Sequence, residues 1–172
     1  MNKRARQYIG LIAAVVAYYV IHEGTHLVYA LTIGVLKQIN FMGIGMQIDV
    51  HNTEMTDTQM GIFCLVGAVA TFIVGYALVL PSDKICKSKN KPFRAVMYYI
   101  TIIMLLLDPL YLSVLCGFFG GGDMNGIKLL VPELAARIGF GVLLLANGFV
   151  FWKAVLPKYT AAFSQFNQGD KK

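Results

Sequence analysis

His22, Glu23 and His26 form a His-Glu-x-x-His motif, and these residue types at this spacing can hold a divalent metal and run a hydrolysis. In a helix, positions i and i+4 share a face with Cβ atoms about 5 to 6 Å apart, so both imidazoles can reach one ion. Glu23 is rotated by about 100° from His22, beside the metal rather than on it, where a general base for a metal-bound water belongs. Zinc lowers the pKa of its water toward about 7 and polarises a carbonyl, while the carboxylate takes the water's proton and delivers it to a leaving amine.

The element that carries the motif is otherwise hydrophobic from Tyr8 to Leu36, which is the composition of a membrane helix. Each ionisable side chain near the middle of such a helix costs about 2.5 to 3.5 kcal/mol on insertion scales, so the trio needs a compensating partner, and a divalent metal is one. The chain as a whole has the same character. It has 172 residues, 57% hydrophobic and 14% charged, with a mean hydropathy of +0.62. This places it among integral membrane proteins. The net charge of +6 does not point to nucleic acid, because the cations flank apolar segments instead of forming a basic stripe.

Four segments are long enough to cross a hydrocarbon core of about 30 Å: 8–35, 59–81, 93–119 and 133–156. Pro109 is expected to break the third, and Pro132 with Glu133 to open the fourth. Between the first two, Ile44, Met46, Ile48 and Val50 alternate with Gly45, Gln47 and Asp49, the period of a strand, and Gly43 and Gly45 allow close backbone approach. The expected architecture is an all-α polytopic membrane protein with about four transmembrane helices and a short membrane-associated β-strand or hairpin after the first. Residues 1–160 form a single integral membrane domain, and 161–172 a flexible C-terminal tail.

Four crossings divide the cations twelve to three, in favour of the side that holds the N-terminus, the 82–94 loop and the C-terminus. Both termini are therefore expected in the cytoplasm. The apolar run after MNKRAR exceeds the roughly 7 to 15 residues of a signal-peptide core, so it is expected to stay attached as a membrane helix.

A catalytic zinc site needs a third protein ligand and an open position. Two carboxylates are candidates. Asp123 lies in Gly120-Gly121-Gly122-Asp123-Met124-Asn125-Gly126, where glycines let the backbone turn back toward the bundle, and Asp108 lies deeper, before Pro109. Asp108 is instead able to bond a ligand histidine from outside the coordination sphere or to bind a counter-ion in the bundle. Both fall toward the same side as His22 and His26, since the first and third helices run in the same direction.

The chain here resembles the site-2 protease family of intramembrane zinc metalloproteases. The resemblance rests on HEGTH in the first helix, the β-segment FMGIGMQ, the Gly67-Ala68-Val69-Ala70-Thr71 stretch of the second helix, and GGGDMNGI. It implies His22, His26 and Asp123 as zinc ligands and Glu23 as catalytic base. Ala68 and Thr71 replace the family's Pro and Asn, the Asn-Pro-rich run before the aspartate is missing, and Met124 follows Asp123 where the family has Gly. Familiar bacterial relatives cut near the cytoplasmic face, whereas the cation count puts this site toward the outer face.

The expected function is hydrolysis of a peptide bond in a membrane-spanning or hydrophobic peptide substrate. The alternative is a non-catalytic metal-binding membrane protein acting as a peptide-binding or chaperone-like module. The expected location is the lipid bilayer of a bacterial cell membrane, as a multi-pass protein. Four helices give zinc little shielding from lipid, so a homodimer or an accessory membrane protein is a credible partner; nucleic acid is not. Remaining features read as structure: Tyr18-Tyr19, Tyr98-Tyr99 and Phe118-Phe119 as packing or interfacial anchors, Gly139, Gly141 and Gly148 as close helix contacts, His51 as a solvated residue, and Cys64, Cys86 and Cys116 as free thiols.

Overall fold

The computed structural model describes residues 2–42 and 45–169. Four helices are long and apolar enough to cross a membrane, and a two-stranded hairpin follows the first. Helix α1 (Lys3–Thr32) starts on Asn2, whose side chain accepts from Ala5 N–H at 2.7 Å. Gly34, with φ of 76°, stops it: Val35 N–H bonds Ala30 O and Gly34 N–H bonds Leu31 O, which satisfies the last carbonyls.

The chain then forms β1 (Leu36–Met42) and β2 (Gly45–Val50), antiparallel, with Ile39 opposite Ile48 and Asn40 opposite Gln47. Ile48 and Val50 are buried and Gln47 is exposed, so the alternation read from the sequence is the inward and outward alternation of β2. Gly43 and Ile44 lie outside the described residues.

Helix α2 (Asp57–Val79) opens with a capping box in which Thr56 and Gln59 satisfy each other's backbone N–H groups. A short helix, α3 (Ser82–Cys86), leads to α4 (Lys91–Ser113), which packs against α1, α2 and α6. A four-residue helix α5 (Met124–Ile127) precedes α6 (Glu133–Val150), which runs through a π turn (Phe151–Val155) into α7 (Leu156–Gly169).

Four sequence expectations change. Pro109 does not break α4, which continues to Ser113. A proline leaves the carbonyl four residues back without its helical donor, and here Asn147 Nδ2 of α6 donates to Leu105 O at 2.7 Å. Tyr76 of α2 in turn donates to Asn147 Oδ1 at 2.6 Å, so one buried amide ties three helices together.

The third helix also ends earlier than residue 119. Arg137 of α6 closes it, with Nε donating to Ser113 O at 3.1 Å and Nη2 to Val114 O at 3.4 Å. The fourth helix, in contrast, continues past 156, and residues 161–169 are helical. Leu156 N–H bonds Phe151 O, five residues back, so Pro157 follows a turn that is already wider than an α-helix. Residues 170–172 of the expected tail lie outside the described residues.

The fourth correction concerns glycines. Among the described residues no atom of a packed neighbour lies within 4 Å of where a Cβ at Gly139 or Gly148 would stand, and at Gly141 the nearest is Ser113 Cβ at 3.8 Å. The tight approaches are elsewhere, at Gly10 against Tyr99, Gly61 against Leu130, Gly75 against Leu105 and Gly126 against Cys64.

Candidate metal centre

Tyr18, His22 and His26 follow one another at four-residue spacing on α1, so their side chains form one stripe. That stripe faces α2 and α4, and His22 and His26 are buried at 5% and 2% exposure. Gly67 of α2 gives the rings their space. A Cβ there would stand 2.6 Å from His26 Nε2 and 2.8 Å from His22 Nε2.

Asp123 reaches the same point from another part of the chain. After α4, Gly120, Gly121 and Gly122 take φ of 77°, 88° and 47°, left-handed values that residues with a Cβ adopt only at a cost of about 1 to 2 kcal/mol each. The turn is held by Gly121 N–H to Cys116 O at 2.8 Å and by Asn125 Nδ2 to Gly120 O at 2.9 Å. Gly126 then seats α5 on α2, where a Cβ would collide with Cys64 Sγ. Asp123 Oδ2 thereby stands 3.1 Å from His22 Nε2 and 3.7 Å from His26 Nε2.

The ligand atoms of His22, His26 and Asp123 all lie within 4.8 Å of one another. Burial by itself raises the Asp123 carboxyl, but hydrogen bonds and charge from His22 and His26 outweigh it and hold the group well below the usual carboxylate range. Two imidazole nitrogens and one carboxylate are a donor set that zinc accepts, with a fourth position left open. The residues therefore fit the ion that the sequence suggests.

Asp108 is near but does not join this cluster. It is 2% exposed and approaches the other nitrogen of His22, with Oδ1 3.3 Å from Nδ1. Tyr18 OH donates to Asp108 Oδ1, and Thr71 Oγ1 lies against Oδ2. The 3.3 Å approach is too poorly aligned to be a hydrogen bond. His22 Nδ1 and His26 Nδ1 are thus both buried without a bonded partner among the described residues.

The site opens into a cleft of about 1040 Å³. One wall is α1 with Tyr19 and Glu23, another is β2 from Gly45 to Val50, and a third is Tyr111 with the Gly120 to Asp123 loop. The Glu23 carboxylate faces the backbone of Ile48. The sheet order is β1-β2, so the far edge of β2 has no strand beside it among the described residues. Tyr111 OH packs on Gly122, where a Cβ would collide with it, and makes no hydrogen bond among the described residues.

His51 is exposed and does not line the cleft. The sequence reading passed over Tyr18, Gly67, Thr71 and Tyr111 as site residues. Tyr18 carried a usable signal, since it precedes His22 by the same four residues that separate His22 from His26. Tyr111 carried none, because its place depends on how the glycine turn folds back. No protein-family model, curated protein or solved structure matches this chain.

Proposed function

We propose that this chain is an intramembrane zinc metalloprotease of the site-2 protease kind, cutting a peptide bond within or at the edge of the bilayer. The observation that carries the reading is the convergence of His22, His26 and Asp123, from segments about a hundred residues apart, on one buried point beside an open cleft. A bound zinc ion would polarise the scissile carbonyl and acidify the attacking water.

The chain's own residues supply the rest. Glu23, on the cleft wall, accepts the water's proton and returns it to the leaving amine. Tyr111 presents a phenol O–H from the opposite wall to the carbonyl oxygen as it gains charge. The open edge of β2 holds the substrate extended by backbone pairing, because a peptide bond inside a helix is shielded until that helix unwinds.

Helices α1, α2 and α4, with α6 continuing into α7, are the spans in this reading. Val16, Val20, Val28 and Leu31 of α1 are all more than half exposed, on the faces away from the histidine stripe, as lipid contact requires. The cation bias puts both termini in the cytoplasm and the cleft toward the outer face.

The test is Glu23→Gln, expressed with a panel of single-span reporter proteins. Zinc content is expected to stay near that of the native chain while cleavage is lost. Unchanged cleavage overturns the protease reading. A native chain that holds zinc, cuts nothing, and tolerates Glu23→Gln in binding hydrophobic peptides supports the non-catalytic peptide-binding alternative.

A further inference from the structure

We infer that Asp108 is a positioning residue that orients His22 for the metal and balances the ion's charge, and that Tyr18 and Thr71 hold it in place. The inference rests on the zinc reading of the site and assigns a buried carboxylate beside the cluster that the reading leaves without a role.

Geometry separates the two aspartates. Asp123 Oδ2 approaches the Nε2 atoms of both histidines, whereas Asp108 Oδ1 approaches only Nδ1 of His22, on the far side of the same ring. An imidazole whose Nε2 is committed to a metal carries its proton on Nδ1, and a carboxylate at that nitrogen fixes both the tautomer and the ring plane. Asp108 Oδ1 is the acceptor within reach. The Tyr18 ring constrains His22 from a second direction, stacking on it at 5.0 Å between centroids and 27° between planes.

Asp108 is itself restrained from two other helices. Tyr18 OH of α1 meets Oδ1, and Thr71 Oγ1 of α2 meets Oδ2, so a carboxylate on α4 is held by hydroxyls on two of its neighbouring helices. Thr71 is fully buried, and its hydroxyl is also 2.9 Å from Ala68 O. The hydroxyl is therefore occupied within the bundle and is not presented to the cleft. This explains Thr71 in the second-helix stretch: a short hydroxyl fits the space beside Asp108.

Charge supports the same assignment. A carboxylate that is 2% exposed is costly without a compensating cation. A divalent ion held by His22, His26 and Asp123 would have its charge balanced by Asp123 and by Asp108 on the other side of the His22 ring. Glu23 then remains on the cleft wall for chemistry.

The test measures zinc affinity by chelator competition, and the absorption spectrum of the cobalt-substituted form, on the detergent-purified full chain. The variants are Asp108→Asn, Thr71→Val, Tyr18→Phe and Asp123→Asn. Asp108→Asn is expected to keep one ion per chain, bind it about 10- to 100-fold more weakly, and shift the cobalt bands. Thr71→Val and Tyr18→Phe should move both readouts in the same direction by less, with the metal-free unfolding temperature tracking that of the native chain.

Native affinity and a native cobalt spectrum in Asp108→Asn, Thr71→Val and Tyr18→Phe would overturn the inference while leaving the zinc reading intact. Loss of the ion in Asp108→Asn with retention in Asp123→Asn would overturn it by making Asp108 the ligand. If Asp108→Asn does not fold, the two hydroxyl deletions decide by the same criteria. A native chain that binds no zinc overturns the zinc reading together with the inference.

Discussion

Gly67 of α2 faces His26 of α1 so closely that a Cβ at position 67 would stand 2.6 Å from His26 Nε2. The atom that glycine lacks would occupy the place where the two imidazoles meet. Gly67 therefore sets how near α2 can pass to the ligand pair, and Gly126 against Cys64 sets how near α5 comes to α2.

Gly67→Ala should consequently lose most zinc binding while the helical bundle still forms. The expected result is near-native helical content by circular dichroism, with zinc per chain reduced severalfold or more. Full zinc occupancy in Gly67→Ala would show that the neighbouring rings have room to withdraw.

Asn147→Leu should destabilise the bundle without touching the metal. It removes the donor to Leu105 O and the acceptor for Tyr76 OH, and a buried carbonyl left unpaired costs about 1 to 3 kcal/mol. The measurement is thermal unfolding of the metal-free protein. A clear drop in midpoint with unchanged zinc affinity is expected, and an unchanged midpoint would remove Asn147 as the partner of the proline-freed carbonyl.

Removing zinc with a chelator should loosen one segment selectively. Zinc would tie Asp123 to the histidine pair, adding to a glycine turn otherwise held by Gly121 N–H to Cys116 O and Asn125 Nδ2 to Gly120 O. Limited proteolysis should therefore become faster within 114–132 and stay slow within α1, α2 and α4, and Asp123→Ala should behave the same way with zinc present. Equal protection of that loop with and without the ion would contradict this.

Tyr111→Phe should lower turnover by about 100- to 1000-fold, the usual cost of removing one donor to a developing oxyanion. Zinc affinity should remain within about twofold of native, since the phenol touches Gly122 rather than a ligand atom. Native turnover in this variant would return Tyr111 to a packing role.

The sequence by itself determined the local parts. Hydropathy marked the four long helices to within several residues at most ends, because twenty consecutive apolar residues satisfy their backbone internally and need little else to be recognised. Four-residue spacing put His22 and His26 on one face, and period-two alternation located β2, since both follow from backbone geometry alone. Gly34 and the Thr56-Gln59 pair ended and began helices by the same local rules.

Tertiary structure decided what depended on distant partners. Whether Pro109 ended its helix turned on Asn147, 38 residues later in the sequence, and where that helix stopped turned on Arg137. Glycine in α6 signalled close packing no better than glycine elsewhere, because a missing side chain tells nothing of what stands opposite it. In sequence both aspartates were ligand candidates at membrane depth, with Asp123 favoured by its glycine-rich stretch and by the family resemblance. Only the fold of the glycine turn placed Asp123 at the Nε2 atoms and left Asp108 behind His22, since the side of an imidazole that a carboxylate reaches is a property of three helices packed together.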